Sequence, residues 1–466
     1  MREDGRAADK MTADNAAYSP SGRSTFQEIR LLDELRQASR RASNERATRR
    51  LLSDCRSLLS ERGEANSVAI AASLVQRLET LPEDQELLFF ESLARDFSPD
   101  PAAVLAAAKA YAAEPVAQTQ MALTALAEPL RQELFRRINR TPGGTAALLH
   151  LRRPLLSRLR GHQQLRAVEA DLFHLLSSWF NPGFLEMREV DWDSPARLLE
   201  KVIQHEAVHE VDGWDDLRRR LEPDRRMFAF FHPQLPDEPL IFVEVALLPD
   251  MPPAIAPLIN KSTRPLPLDQ SKVAVFYSIS NCEPGLRGVS LGNFLIKRVA
   301  EHLKGELPQI RTFCTLSPIP GFAAWLASHP DLENLPGLKR GAGALLAAAL
   351  QRLQQAAGDD LAALNSIAGV EKLGEEGEAA LLALCSAYLV YLSPTPDGDP
   401  VARFHLDNGA RLERLNPRAN LSRKGIKQSC GLMVNYLYDL SRIESSREKF
   451  VQGEVVHSRA VAALLR

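Results

Sequence analysis

The stretch VAVFYSISNCEPGLRGVSLGNFLIKRVA, residues 273–300, joins a strand to a helix through a glycine-bearing loop, and the rest of the chain is organised around it. Val273 to Ile279 is a run of β-branched and aromatic residues that reads as a buried strand. From Phe294 to Ala300 the apolar residues recur at helical spacing. Between them stand Arg287, Gly288, Val289, Ser290, Leu291, Gly292 and Asn293. Small residues at that place let backbone N–H groups converge beside a helix N-terminus, which suits a pyrophosphate. The same pattern also arises as an ordinary strand-to-helix turn.

Two further runs, Leu240 to Leu247 and Ile310 to Leu316, read as buried strands, giving the order strand, strand, loop, helix, strand. Ala/Leu-rich segments at 342–356 and 378–391 and a last segment at 431–443 read as helices. Upstream, from Ser24 to Trp179, Ala, Leu, Arg and Glu dominate with helical spacing, as in Leu123, Leu126, Leu130 and Leu134. Pro129 inside that example marks a kink or the first turn of a new helix. Asn181-Pro182-Gly183 breaks the helical pattern. The expected organisation is therefore a disordered tail over 1–24, an all-helical domain over 25–182 and a mixed α/β domain over 183–466, an α plus α/β chain.

The balance of 57 basic against 59 acidic residues, a net charge of -2, supplies no global field for nucleic acid or a membrane surface, so neither is expected as a partner. Five cysteines without a C-x-x-C pair indicate neither a disulfide framework nor a zinc ribbon. With no long apolar run and no secretory or peroxisomal signal, the expected location is the cytoplasm.

Two polar residues stand out in the second half. Ser317 follows a strand in Thr315-Leu316-Ser317-Pro318-Ile319-Pro320-Gly321-Phe322, where two prolines stiffen the chain; it suits a substrate-orienting hydroxyl, or simply starts a turn. His405 precedes Asp407-Asn408-Gly409, and histidine is the side chain best poised to move a proton near neutrality. A rival motif is His205-Glu206-Ala207-Val208-His209, which fits H-E-x-x-H and would hold zinc if helical. No third ligand is marked out there, and a solvated helix face is the preferred reading.

R-G-V-S-L-G resembles the Q/R-x-x-G-x-G/A signature of the CoA-dependent acetyltransferase (GNAT) superfamily, with Ser290 standing where that signature has glycine. HPQLPDEPLIFVEVALL (232–248), VFYSIS (275–280), GLRGVSLGNFLIKRV (285–299), TLSPIPGF (315–322), FHLDNGARLERLN (404–416) and SCGLMVNYLY (429–438) together resemble the malonyl-CoA decarboxylase family, in the family's order.

The resemblance implies a helical domain followed by a GNAT-like catalytic domain whose fourth and fifth strands splay to admit the pantetheine arm of CoA. It implies a carboxy-lyase that converts malonyl-CoA to acetyl-CoA and carbon dioxide through a thioester enolate, with no metal or other cofactor. Ser317 becomes the residue that orients the carboxylate and accepts a proton, and His405 the proton donor. Arg287 through Asn293 become the CoA-contacting loop, and Ser278 and Tyr438 line the site. Animal members carry glutamate at the position of Ser290, so the chain resembles a bacterial-type member. A homo-oligomer, dimer or tetramer, is implied as well. A CoA-dependent acyltransferase is the alternative, and a noncatalytic CoA-binding regulator a third class; neither accounts for the serine and histidine motifs together.

Overall fold

The Ala-, Leu-, Arg- and Glu-rich first part folds as helices, as its composition favours. The computed structural model describes residues 22–60, 64–289, 291, 295–338 and 341–466. Helices α1 (Gly22–Ser60), α2 (Glu64–Glu79), α3 (Glu83–Asp96), α4 (Pro101–Ala113), α5 (Ala117–Ala127) and α6 (Leu130–Asn139) follow in turn. Helix α4 starts where its signals place it, with Pro101 in the first turn and the Asp100 carboxylate accepting from the Ala102 N–H at 3.0 Å. Pro129 lies between α5 and α6, so the spacing from Leu123 to Leu134 is not one stripe. Leu134 is buried, whereas Leu126 and Leu130 are exposed. The tail expected over 1–24 lies, for residues 1–21, outside the described residues.

By packing, the chain forms two units: residues 1–138 with 159–168, and residues 139–158 with 169–466. The composition change near 183 is thus not where the packing units divide. Helix α7 (Gly144–Arg158) and most of α8 (Arg166–Trp179) fall in the second unit. The buried Arg152 guanidinium explains the grouping. It makes a two-point ion pair with Glu169, at 3.0 and 2.6 Å, and donates to the Gly285 carbonyl at 2.6 Å, anchoring the turn that leads out of the central strand.

Seven strands form the sheet of this unit: β1 (Glu186–Glu189), β2 (Arg225–Phe231), β3 (Ile241–Leu248), β4 (Val273–Asn281), β5 (Thr312–Thr315), β6 (Arg411–Asn416) and β7 (Met433–Leu437). Their spatial order is β1-β2-β3-β4-β5-β7-β6, antiparallel throughout except for β4 beside β5. Parallel neighbours need a crossover. Helix α11 (Leu295–Glu306), between β4 and β5 in the chain, is part of it, while α9 (Ala196–His205) and α10 (Gly213–Arg220) precede β2. Leu295, Ile296, Val299 and Leu303 of α11 pack in one core with Val243, Val245 and Ala274. On the other side Ala246, Val273, Val275 and Tyr277 form a second core.

The segment expected as a helix at 431–443 is instead strand β7 followed by a turn. Its apolar residues have room for either reading, but pairing with β6 and β5 satisfies the backbone of Met433–Leu437. Helices α12 (Ala342–Ala356) and α13 (Gly374–Ala387) lie near their expected places, and α14 (Pro400–Asp407) carries His405.

The turn after α14 requires glycine. Gly409 has φ +77°, and a Cβ there would run into the carbonyl oxygen of Ile443. Gly409→Ala is therefore expected to destabilise the protein by about 2–4 kcal/mol, combining left-handed strain with overpacking. A lowered urea midpoint at unchanged slope would register it.

Candidate active site in the gap between β4 and β5

β5 pairs with β4 only from Val273↔Thr312 to Phe276↔Thr315, while β4 continues to Asn281. Past Phe276 the two strands part. Opposite this point the β3–β4 register slips: Val245 faces Phe276 and Glu244 faces Ser278, leaving Tyr277 unmatched as a bulge. A bulge bends the strand and re-aims its side chains. Beside it a cleft of about 340 Å³ opens, lined by Phe276, Ser278, Ile279, Val289, Leu291, Ser317, Pro318, Val401, Phe404 and His405 among others.

Ser317 leaves the sheet where β5 ends, yet its backbone still pairs with β7, its N–H donating to Val434 at 2.8 Å and its carbonyl accepting from Val434 at 3.0 Å. His405 reaches the same place from the last turn of α14. Asp399 caps that helix, accepting from the N–H groups of Val401 and Ala402 at 3.0 and 3.1 Å. The same carboxylate accepts from the Gly321 N–H at 2.9 Å, so one residue ties the histidine helix to the serine loop.

The two side chains meet. Ser317 Oγ lies 3.0 Å from His405 Nε2 and donates to Thr315 Oγ1 at 2.9 Å, while Tyr438 Oη lies 2.8 Å from His405 Nδ1. With the serine proton directed to Thr315, full pairing puts the imidazole proton on Nε2 and has Tyr438 donate to Nδ1. The ring stacks on Tyr436, centroids 4.7 Å apart. Ser317 and His405 are 5% and 4% exposed, so both are shielded from bulk water yet front the cleft.

Burial lowers the His405 pKa from the ordinary 6.5 to about 3. His209 is lowered to about 3 as well, by burial first and then by Arg220 and Lys424. The unfolded chain would take up these protons near 6.5 and the folded one only near 3. Stability that is whole above the unfolded value is thus lost as pH falls through that window. Urea midpoints measured from pH 7.5 down to about 5 are expected to fall, and His405→Gln to fall less steeply.

Of the expected site residues, Ser317, His405 and Tyr438 form one hydrogen-bonded chain, and Ser278, Val289 and Leu291 line the same cleft. Arg287 and Gly288 are exposed and do not line it; Gly288, at φ +83°, supplies the left-handed turn. Ser290, Gly292 and Asn293 lie outside the described residues. Thr315, Tyr436 and Asp399 are partners that the sequence reading did not single out. Thr315 and Tyr436 each stand two residues from a named site residue along an extended segment, and that is the signal which could have found them.

The H-E-x-x-H segment is not one helical turn. Helix α9 ends at His205, and Glu206 turns inward. Its carboxylate accepts from the hydroxyls of Ser278, at 2.8 and 2.7 Å, and of Ser280, at 3.0 Å, and from the N–H groups of Val208 and His209, at 2.8 and 2.7 Å.

A mixed sheet opened between its two parallel strands, with a buried serine–histidine–tyrosine chain fronting a largely apolar cleft, defines an α plus α/β protein with a site of small-molecule dimensions. The chain belongs to the malonyl-CoA decarboxylase family. The family's C-terminal domain model matches residues 183–466 and its N-terminal domain model residues 97–180. Mitochondrial malonyl-CoA decarboxylase of Rattus norvegicus is 38% identical over 327 residues, covering 67% of this chain and 66% of its own length. That of Anser anser anser is 36% identical over 382 residues, 77% of this chain and 75% of its own. The crystal structure of malonyl-CoA decarboxylase from Rhodopseudomonas palustris is 46% identical, covers 89% of this chain and 99% of its own, and superposes with a TM-score of 0.78. The Agrobacterium vitis structure gives 45% and 0.78 over the same shares.

Proposed function

We propose that this chain decarboxylates malonyl-CoA, releasing carbon dioxide and leaving acetyl-CoA. The observation that carries the reading is the Tyr438–His405–Ser317 chain fronting the cleft where β4 and β5 part. Family membership supplies the thioester.

Breaking the bond between the carboxylate and the α-carbon leaves an electron pair that spreads into the thioester carbonyl as an enolate, and the α-carbon then takes one proton. The thioester is its own electron sink, so no metal or prosthetic group is called for by the chemistry. In this reading the Ser317 hydroxyl turns from Thr315 to the substrate carboxylate and holds it out of the carbonyl plane. The carboxylate arrives beside an imidazole that burial keeps neutral, and its charge favours uptake of one proton from solvent, Tyr438 then accepting from Nδ1. His405 then delivers that proton to the α-carbon as carbon dioxide leaves. The backbone donor at Leu291, which lines the cleft, serves the carbonyl end of the thioester.

A tyrosine hydroxyl, not a carboxylate, stands behind Nδ1. A nucleophilic serine is usually served by an anion behind its histidine. A neutral partner fixes the ring without that charge, which favours proton delivery over an acyl-enzyme.

A homo-oligomer, dimer or tetramer, is supported by α4 and α5, which bury no residue of their own. Leu105, Met121 and Leu126 stand 56%, 72% and 46% exposed there. Cytoplasmic placement is supported by five free, buried cysteines. Among the described residues no helix is long and apolar enough to cross a membrane.

The test is turnover of malonyl-CoA by protein dialysed against EDTA. Undiminished formation of acetyl-CoA is expected; activity that disappears with the chelator and returns with a divalent metal would overturn the metal-free reading.

A further inference from the structure

The glutamate of the H-E-x-x-H segment has a use that zinc chemistry does not describe. Glu206 is buried, 7% exposed. It receives two hydroxyls and two backbone N–H groups and lies against the buried Glu244 carboxyl, so its lone pairs are taken up within the protein. Whatever it does for a ligand it does through those donors. One of them, Ser278, lines the cleft at the β4 bulge.

The segment holding Glu206 is tied down independently. Ser280 Oγ accepts from the Ala207 N–H at 3.1 Å, and Lys424 Nζ donates to the Ala207 and Val208 carbonyls at 2.6 and 3.2 Å. Val208 itself lines the cleft. Glu206 therefore meets Ser278 from a fixed position, and the serine hydroxyl proton is directed at its carboxylate oxygens, 2.8 and 2.7 Å away. A hydroxyl whose proton is held in this way presents only lone pairs elsewhere, and donating to an anion makes it a better acceptor.

Much of the remaining cleft wall is apolar, with Ile241, Phe276, Val289, Leu291 and Phe404. A CoA thioester carries amide N–H groups in the arm behind its sulfur, and burying one against such a wall without an acceptor is costly. Ser317 and His405 are engaged with the reacting end. Building on the decarboxylase reading, we infer that Glu206 is a positioning residue that holds Ser278 as the acceptor for an amide N–H of the substrate's pantetheine arm.

Two short substrates separate this from a purely structural role. Malonyl-N-acetylcysteamine keeps one amide N–H behind the sulfur, and S-ethyl malonyl thioester has none. In Ser278→Ala the acceptor is gone. In Glu206→Gln the carboxamide NH2 becomes a donor to Ser278, turning the serine proton toward the ligand N–H. Each variant is expected to reduce the ratio of kcat/KM for the first substrate to that for the second by about 10-fold, mainly through KM. The double variant should do no more than either single one, because both act on the same bond.

A ratio unchanged from wild type in Ser278→Ala, or losses that multiply in the double variant, would overturn the assignment while leaving the decarboxylase reading intact. If Glu206→Gln fails to fold, Ser278→Ala, which removes one hydroxyl, decides alone. Failure of wild type to turn over malonyl-CoA would instead count against the decarboxylase reading itself.

Discussion

His405→Asn is expected to lower kcat for malonyl-CoA by roughly 10²–10⁴-fold, the range for loss of a positioned general acid, while KM stays within a few-fold of wild type. The shorter amide keeps a polar group facing Tyr438 where Nδ1 stood, but it does not reach Ser317 and cannot carry a proton to carbon. His405 is 4% exposed with one ring nitrogen on Ser317 and the other on Tyr438, so no other described group shares that position between serine and tyrosine. Steady-state rates beside a thermal melt check it, since a variant that melts like wild type yet retains full kcat would remove histidine from the chemistry.

Ser317→Ala is expected to cost about 10²–10³-fold in kcat/KM, comparable with deleting a donor that stabilises charge at a reacting centre. The change removes the hydroxyl that lies between Thr315 Oγ1 and His405 Nε2, leaving those two groups without their shared partner. The backbone bridge between Ser317 and Val434 does not depend on the side chain, so the loop should stay in place. Because serine and histidine act on one transition state, the double variant should be scarcely slower than the slower single one.

Local signals carried much of this architecture. The β-branched run of β4, the helical spacing of α11 and the order of the three strands around them were all readable from residue type. β7 was not: Met433–Leu437 is a short apolar run whose state is settled by pairing with β6 and β5, a tertiary fact. Ser317 and His405 could be picked out as candidates, but their meeting across 88 residues is produced by the Asp399 cap and by the pairing of Ser317 with β7, and neither has a signature in local spacing. The H-E-x-x-H match misled in a different way. The five letters fit a helix, and only the inward turn of Glu206 after His205 shows what the glutamate contacts.

The measurement that bears most directly on the decarboxylase account is the product balance when the purified protein consumes malonyl-CoA. The account predicts acetyl-CoA and carbon dioxide in equal amounts, with both falling together in His405→Asn and Ser317→Ala. Free CoA with malonate would mean that Ser317 and His405 hydrolyse the thioester, and that result would contradict it.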